Sequence, residues 1–210
     1  MQKIVIIDMD GTLLDSQKDI TISVNYVRKV NHNLPPLEES FIVEAINMEV
    51  RNLPFLFYNT ETYEERDRVV FEKHYAIQCT QNPYLYDGVL EMLHSLKDAG
   101  VKLSVATNAP TQFAVRMLES LSIASLFDKI IGADKVSHSK PSPEMLLKIL
   151  DFYHFDAKKD FALMVGDNSK DMMSAKNANI EAKFATWGFS PDAEGFSSLK
   201  TPKELLSIVL

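Results

Sequence analysis

The sequence predicts an α/β fold, a parallel sheet covered by helices, with a helical insert near its start. Three observations carry that prediction. Short apolar, β-branched runs recur along the chain, each ending in a polar or glycine-containing turn. Between them lie segments with apolar residues at helical spacing, and strands buried on both faces are typical of parallel sheets flanked by helices. Only residues 18–82 break the alternation, with helical spacing throughout and no convincing strand.

The elements follow in order. Ile4 to Ile7 reads as a buried strand feeding a tight loop at Asp8 and Asp10-Gly11. In the insert, apolar helix faces are marked by Ile20, Val24 and Val27, by Phe41, Ile42, Ala45 and Ile46, and by Val69, Val70 and Phe71. Pro35-Pro36 and Pro54 divide them. The alternation resumes at Tyr86. Asp87-Gly88 opens a helix carrying Leu90, Leu93 and Leu96, which Gly100 stops. Val101 to Ala106 is a second strand, ending at Thr107-Asn108, and Pro110 opens a helix with Phe113, Met117, Leu118 and Leu121 on one face. Lys129 to Ile131 is a third strand, and Ser142-Pro143 starts a helix bearing Met145, Leu146, Ile149 and Leu150. Phe161 to Val165 is a fourth strand, ending at Gly166-Asp167. Met172 to Ala178 suggests a helix, and roughly Ala182 to Thr186 a fifth strand. The expected division is a core of residues 1–17 and 84–210 with a helical insert over 18–83.

Composition narrows the function classes. The chain has 210 residues, 46% hydrophobic and 24% charged, enough for a core and unlike a disordered chain. Lys and Arg number 22 against 29 Asp and Glu, a net charge of −7, which argues against a nucleic-acid partner. The single cysteine, Cys79, rules out an internal disulfide framework and any cysteine metal cluster. The apolar run at residues 4–7 is too short for a signal-peptide core, and no stretch approaches membrane length. The expectation is a cytoplasmic protein without a membrane partner, a monomer or homodimer. The five histidines show no metal-ligand spacing, and no glycine-rich nucleotide loop is present.

Four polar groupings fall at or near strand ends. They are Asp8-Met9-Asp10-Gly11-Thr12, Thr107-Asn108, Lys140 in a proline-flanked loop, and Gly166-Asp167-Asn168-Ser169-Lys170-Asp171. Carboxyl ends of parallel strands share one edge of the sheet, where ligands bind. Alone, an Asp after a strand is more often a turn or helix-cap residue than a catalyst. Together, the carboxylates would repel one another, and a divalent cation resolves that. Mg²⁺, which takes hard oxygen ligands, waters and a substrate phosphate, suits the set. Asp8 could then attack phosphorus as a nucleophile, with Asp10 exchanging protons with the leaving oxygen and the attacking water. Thr107 and Asn108 can donate to the transferring group, and Lys140 can balance charge on Asp8 and the phosphate. Gly11 allows the turn that brings backbone N–H groups toward an anion.

In order and spacing, these groupings resemble the four motifs of the haloacid dehalogenase-like hydrolase superfamily. Asp8-Met9-Asp10-Gly11-Thr12-Leu13-Leu14-Asp15-Ser16 is similar to the first, Thr107-Asn108 to the second, and Lys140-Pro141-Ser142-Pro143 to the third. Gly166-Asp167-Asn168-Ser169-Lys170-Asp171 is similar to the fourth. The resemblance implies a Rossmann-like core with a small α-helical cap, and Mg²⁺-dependent phosphoryl transfer through an aspartyl-phosphate on Asp8. It implies metal binding by Asp8, the Asp10 carbonyl and Asp167, with Asp171 at or just behind the metal.

Within the superfamily, the phosphoglycolate phosphatase-like enzymes look most similar. Asn31 to Pro36 resembles their first cap turn. Phe71-Glu72-Lys73-His74-Tyr75 and Tyr84-Leu85-Tyr86-Asp87-Gly88-Val89 resemble their return to the core. The chain departs from them at Ala45-Ile46-Asn47-Met48, where they place a glycine-containing substrate loop, and Glu49-Val50-Arg51 follows instead. Arg51 is the cap candidate for an anionic substrate group. The expected substrate is a small phosphomonoester, phosphoglycolate or a sugar phosphate. A sugar-phosphate mutase and a non-catalytic phosphate-binding module are the alternatives.

Overall fold

Beyond its first residue, Lys3–Ile7 (β1) is apolar and β-branched on both faces, and it occupies the position that such a run requires, the middle of a sheet with helices on either side. The computed structural model describes residues 1–48, 52–190 and 195–210. The chain divides into two compact units, Met1–Asp15 with Tyr84–Leu210, and Ser16–Pro83.

The first unit is α/β and Rossmann-like. After β1 come Leu14–Asp15 (β2), then, beyond the second unit, Tyr84–Leu85 (β3), Lys102–Ala106 (β4), Lys129–Ile131 (β5), Phe161–Gly166 (β6), Glu181–Ala185 (β7) and Ser198–Leu199 (β8). Among the described residues the main sheet runs β5-β4-β1-β6-β7-β8, every pairing parallel. In register, Ile6 lies between Ser104 and Met164. β2 and β3 form a separate antiparallel pair. From β1 the chain lays strands to one side and then, with β6, to the other. That reversal opens a crevice at the carboxyl ends of β1 and β6.

The helices of this unit are Val89–Asp98, Thr111–Ser120, Glu144–Phe152, Ser169–Asn177 and Pro202–Val209. Ile4 and Ile6 pack with Met145, Leu146 and Ile149 of Glu144–Phe152 and with Ala175 of Ser169–Asn177. Val5 and Ile7 are equally buried. Each such side chain contributes about 1.5–3 kcal/mol by leaving water, so the strand that carries Asp8 is firmly fixed. The helix expected over Met172 to Ala178 begins earlier, at Ser169. Asn168 caps it: its side chain accepts from Lys170 N at 3.1 Å, while Asp171 Oδ2 accepts from Asn168 N at 3.1 Å.

The second unit is helical, with Gln17–His32 (α1), Glu39–Asn47 (α2), Leu53–Tyr58 (α3) and Glu65–Gln78 (α4). Its core joins Val24 and Val27 to Ile42, Ala45, Phe57 and Tyr58. The buried charges Asp19 and Arg28 are met by neutral groups. Asp19 accepts from Gln78 Nε2 at 2.8 Å and from Asn82 N and Nδ2 at 2.9 and 2.6 Å. Arg28 donates to the carbonyls of Pro35 and Phe57. Among the described residues no helix is long and apolar enough to cross a membrane.

Candidate active site

Asp8 directly follows β1. Its N–H donates to Val165 O at 2.8 Å and so prolongs the ladder between β1 and β6 by one residue beyond the strand. The chain then turns sharply: Met9 O accepts from the backbone of Thr12 and Leu13, and Gly11 N donates to Leu14 O at 2.9 Å. Gly11 has φ +82°, and a side chain there would run into the Asp167 carboxylate. Asp10 is half-buried in the same turn, its backbone bridged to Leu14. Thr107 comes one residue past β4 and donates its N–H to Ile131 O at 3.0 Å. Asp167 follows β6, and Asp171 sits in the first turn of the helix beyond it. Lys140 reaches in from the segment after β5.

The Lys140 ammonium is buried, and three partners take up its three hydrogens. They are Asp8 Oδ1 at 2.7 Å, Asp171 Oδ1 at 2.5 Å and Ala106 O at 2.7 Å. Burial penalises its charge, but Asp171 and Asp8 outweigh that penalty and raise its pKa. Asp8, Asp167 and Asp171 each bring an oxygen to within 4.8 Å of the others. One lysine does not neutralise three carboxylates. Burial, then the charge of Asp8, pushes the Asp171 carboxyl up to about 7, and burial with Asp8 and Asp171 holds Asp167 well above the usual carboxylate range. The site has less positive than negative charge, and its candidate metal ligands are all hard oxygens. That combination is compatible with a divalent cation such as Mg²⁺.

Of the other residues singled out by sequence, Thr107 is buried and its Oγ1 accepts from Ala109 N at 3.1 Å, which leaves the hydroxyl proton to donate elsewhere. Asn108 is engaged differently from the expectation of a phosphate donor alone. Its Nδ2 donates to Lys140 O at 3.1 Å and its Oδ1 accepts from Lys140 N at 3.0 Å, so the amide holds the backbone of the lysine. Arg51 lies outside the described residues. His138, two residues before Lys140, is exposed, and its N–H donates to Glu144 at 2.7 Å.

Sequence reasoning passed over the segment after β7. Trp187 Nε1 donates to Thr12 O at 2.9 Å, and Phe189 N donates to Asp167 Oδ2 at 2.9 Å. The available signal was Gly188, one of only 7 glycines, between two aromatic residues just past a strand.

The family profile of the haloacid dehalogenase-like hydrolases matches residues 5–185, from β1 to the end of β7. The chain belongs to the haloacid dehalogenase-like hydrolase family. This hydrolase is 31% identical over 191 residues to a phosphoglycolate phosphatase of Aquifex aeolicus, covering 89% of this chain and 86% of that protein. It is 29% identical over 190 residues to the N-acetylmuramic acid 6-phosphate phosphatase of Pseudomonas aeruginosa, covering 89% and 83%. The crystal structure of a predicted phosphoglycolate phosphatase from Haemophilus somnus covers all of this chain, and 98% of that chain is matched, with a TM-score of 0.83 at 22% identity. That likeness is one of fold. Together with the sequence matches, it assigns the hydrolase to the phosphoglycolate phosphatase-like branch.

Proposed function

We propose that this hydrolase is a phosphatase that cleaves a small phosphomonoester through an aspartyl-phosphate on Asp8, with Mg²⁺ held by Asp8, the Asp10 carbonyl, Asp167 and Asp171. The observation that carries the reading is the buried trio of carboxylates at the carboxyl ends of β1 and β6, two of which, Asp8 and Asp171, bond one lysine. When bound, Mg²⁺ would neutralise that excess and polarise the phosphoryl group.

The residues then divide the work. The Asp8 carboxylate attacks phosphorus, forming an O–P bond as the ester O–P bond breaks. Asp10 gives its proton to the leaving alkoxide. In the second step Asp10 takes a proton from water as the water oxygen attacks the same phosphorus, which releases inorganic phosphate and regenerates the Asp8 carboxylate. Lys140 fixes Asp8 and offsets charge, and Thr107 donates to the phosphoryl group; Gly11 shapes the turn rather than binding phosphate, its own N–H being taken by Leu14 O. Asn108 supports this set by fastening the Lys140 backbone and has a second amide hydrogen for the phosphate.

The helical unit is assigned the role of a cap that selects the substrate. Phosphoglycolate and N-acetylmuramic acid 6-phosphate, the substrates in the relatives' names, each carry a carboxylate beside the phosphomonoester. A substrate of that type gives Arg51 a second anion to bind. Arg51→Ala should then lower kcat/KM by about 1.5–3 kcal/mol for such substrates and leave an uncharged aryl phosphate unaffected. Equal losses on both would reject the selective role.

The core reading is tested by hydrolysis of a panel of phosphomonoesters. Chelation should abolish turnover and Mg²⁺ should restore it. Ca²⁺ should restore it poorly, because its larger, looser shell takes carboxylates bidentately and reorients Asp8. Full activity in chelator would sink the reading.

A further inference from the structure

We propose that Trp187, Gly188 and Phe189 form a clasp that positions Asp167 and the Gly11-Thr12 turn for metal binding, a role that rests on the reading of Asp8 and Asp167 as metal ligands. Three contacts from consecutive residues meet the site. Trp187 Nε1 donates to Thr12 O at 2.9 Å. A Cβ on Gly188 would overlap Gly11 O and crowd the Asp167 side chain, so only glycine lets the two backbones lie this close. Phe189 N donates to Asp167 Oδ2 at 2.9 Å.

The clasp closes a ring. Thr12 Oγ1 donates to Asp167 Oδ1 at 3.0 Å. Among the described residues, Thr12 thus bonds one oxygen of Asp167 and Phe189 the other, and each oxygen has a second lone pair for a cation. The carboxylate cannot rotate without breaking one of the two. Thr12 is itself held from behind by Trp187, so the indole, the hydroxyl, the carboxylate and the Phe189 amide constrain one another. The base of the clasp is fixed as well: Thr186 N and Oγ1 both donate to Leu199 O of β8 at 3.0 Å. A buried carboxylate beside two others would tend to turn away from them, and the clasp opposes that. Loss of groups that orient metal ligands in this way typically costs about 10–100-fold in metal affinity or activity.

Mn²⁺ binding followed by electron paramagnetic resonance of the metal-free protein tests the proposal, alongside circular dichroism, kcat and KM on an aryl phosphate. Gly188→Ala should weaken Mn²⁺ roughly 10–100-fold and lower kcat at limiting Mg²⁺. Its substrate KM should stay within about twofold, and excess Mg²⁺ should recover much of the kcat. Trp187→Phe keeps an aromatic side chain, though a smaller one, and removes the indole N–H bond, so it should weaken Mn²⁺ about 2–10-fold. A folded Gly188→Ala protein with wild-type Mn²⁺ affinity would overturn the clasp. Where Gly188→Ala fails to fold, Trp187→Phe decides, and unchanged Mn²⁺ affinity there overturns it too. Asp167→Asn separates the two levels: if it binds Mn²⁺ as wild type does, the metal-site reading itself fails, and the clasp with it.

Discussion

Asp19 in the helical unit and Asp167 in the α/β unit are both 1% exposed, yet their surroundings differ in kind. Asp19 is surrounded by donors, Gln78 and both nitrogens of Asn82. Asp167 has a hydroxyl and one backbone N–H, and it faces Asp8 and Asp171 across a few ångströms. The cations show the same division: Arg28 donates to neutral carbonyls, Lys140 to two carboxylates. Burial of a charge is thus no sign of function by itself. Charge that is buried and left unbalanced costs stability, and it persists where a ligand completes it.

The contrast is sharpest at Asp8. Asp8→Asn should reduce turnover to background and leave no trapped phosphoenzyme in single-turnover labelling, whereas equal labelling of both proteins would refute the nucleophile. Asp10→Asn should lower kcat by about 10²–10⁴-fold, least on substrates with good leaving groups.

The two buried cations come next. Lys140→Ala should cost about 10²–10³-fold in kcat, as for other preorganised charge-stabilising groups. Arg28→Met should cost about 1–3 kcal/mol of stability through its unpaired carbonyls while an aryl phosphate is still hydrolysed at the wild-type rate. A comparable kcat loss in both would erase the distinction between the units.

The remaining effects are on stability. Asp19→Asn loses charge-assisted bonds and should destabilise by about 1.5–3 kcal/mol. Asp167→Asn relieves repulsion, so the metal-free variant should melt no lower than wild type although it is inactive. Trp187 is the single tryptophan and lies in the α/β unit, so its emission follows that unit, while far-ultraviolet circular dichroism includes the helical one. Asp19→Asn should shift the second signal before the first in denaturant. Coincident transitions would show that the two units unfold together.

Much of this was legible in the sequence because it is periodic or local. Residues 4–7 have nowhere to go but a sheet centre, and Asp8, Asp10 and Gly11 follow at once. The helix starts at Ser169, ahead of the expected Met172, because Asn168 and Asp171, two residues of a motif that also carries the site's chemistry, form a capping box. β2, β3 and β8 have 2 residues each, too few to show a period. Pro202–Val209 went unassigned at the chain end, although Leu205 and Val209 are buried. The engagement of Asn108 with the Lys140 backbone, and of Phe189 with Asp167, depends on main-chain groups that every residue carries. Such contacts leave no mark on residue identity.

The central strand has one more consequence, for the order in which the protein is assembled. Ile4 finds its neighbours at Lys102 and Ala162, so the first strand emerges from the ribosome long before either partner exists. The helical unit, by contrast, is a continuous segment, Ser16–Pro83, whose contacts are comparatively local. Its chain ends leave and return through Leu14–Asp15 and Tyr84–Leu85, which pair with each other. The guest is therefore complete while its host is still being translated. At about 5–20 residues per second, the apolar first strand waits roughly 5–30 s for its two neighbours, and the helical unit, synthesised in between, joins the two chain segments between which that sheet will later close.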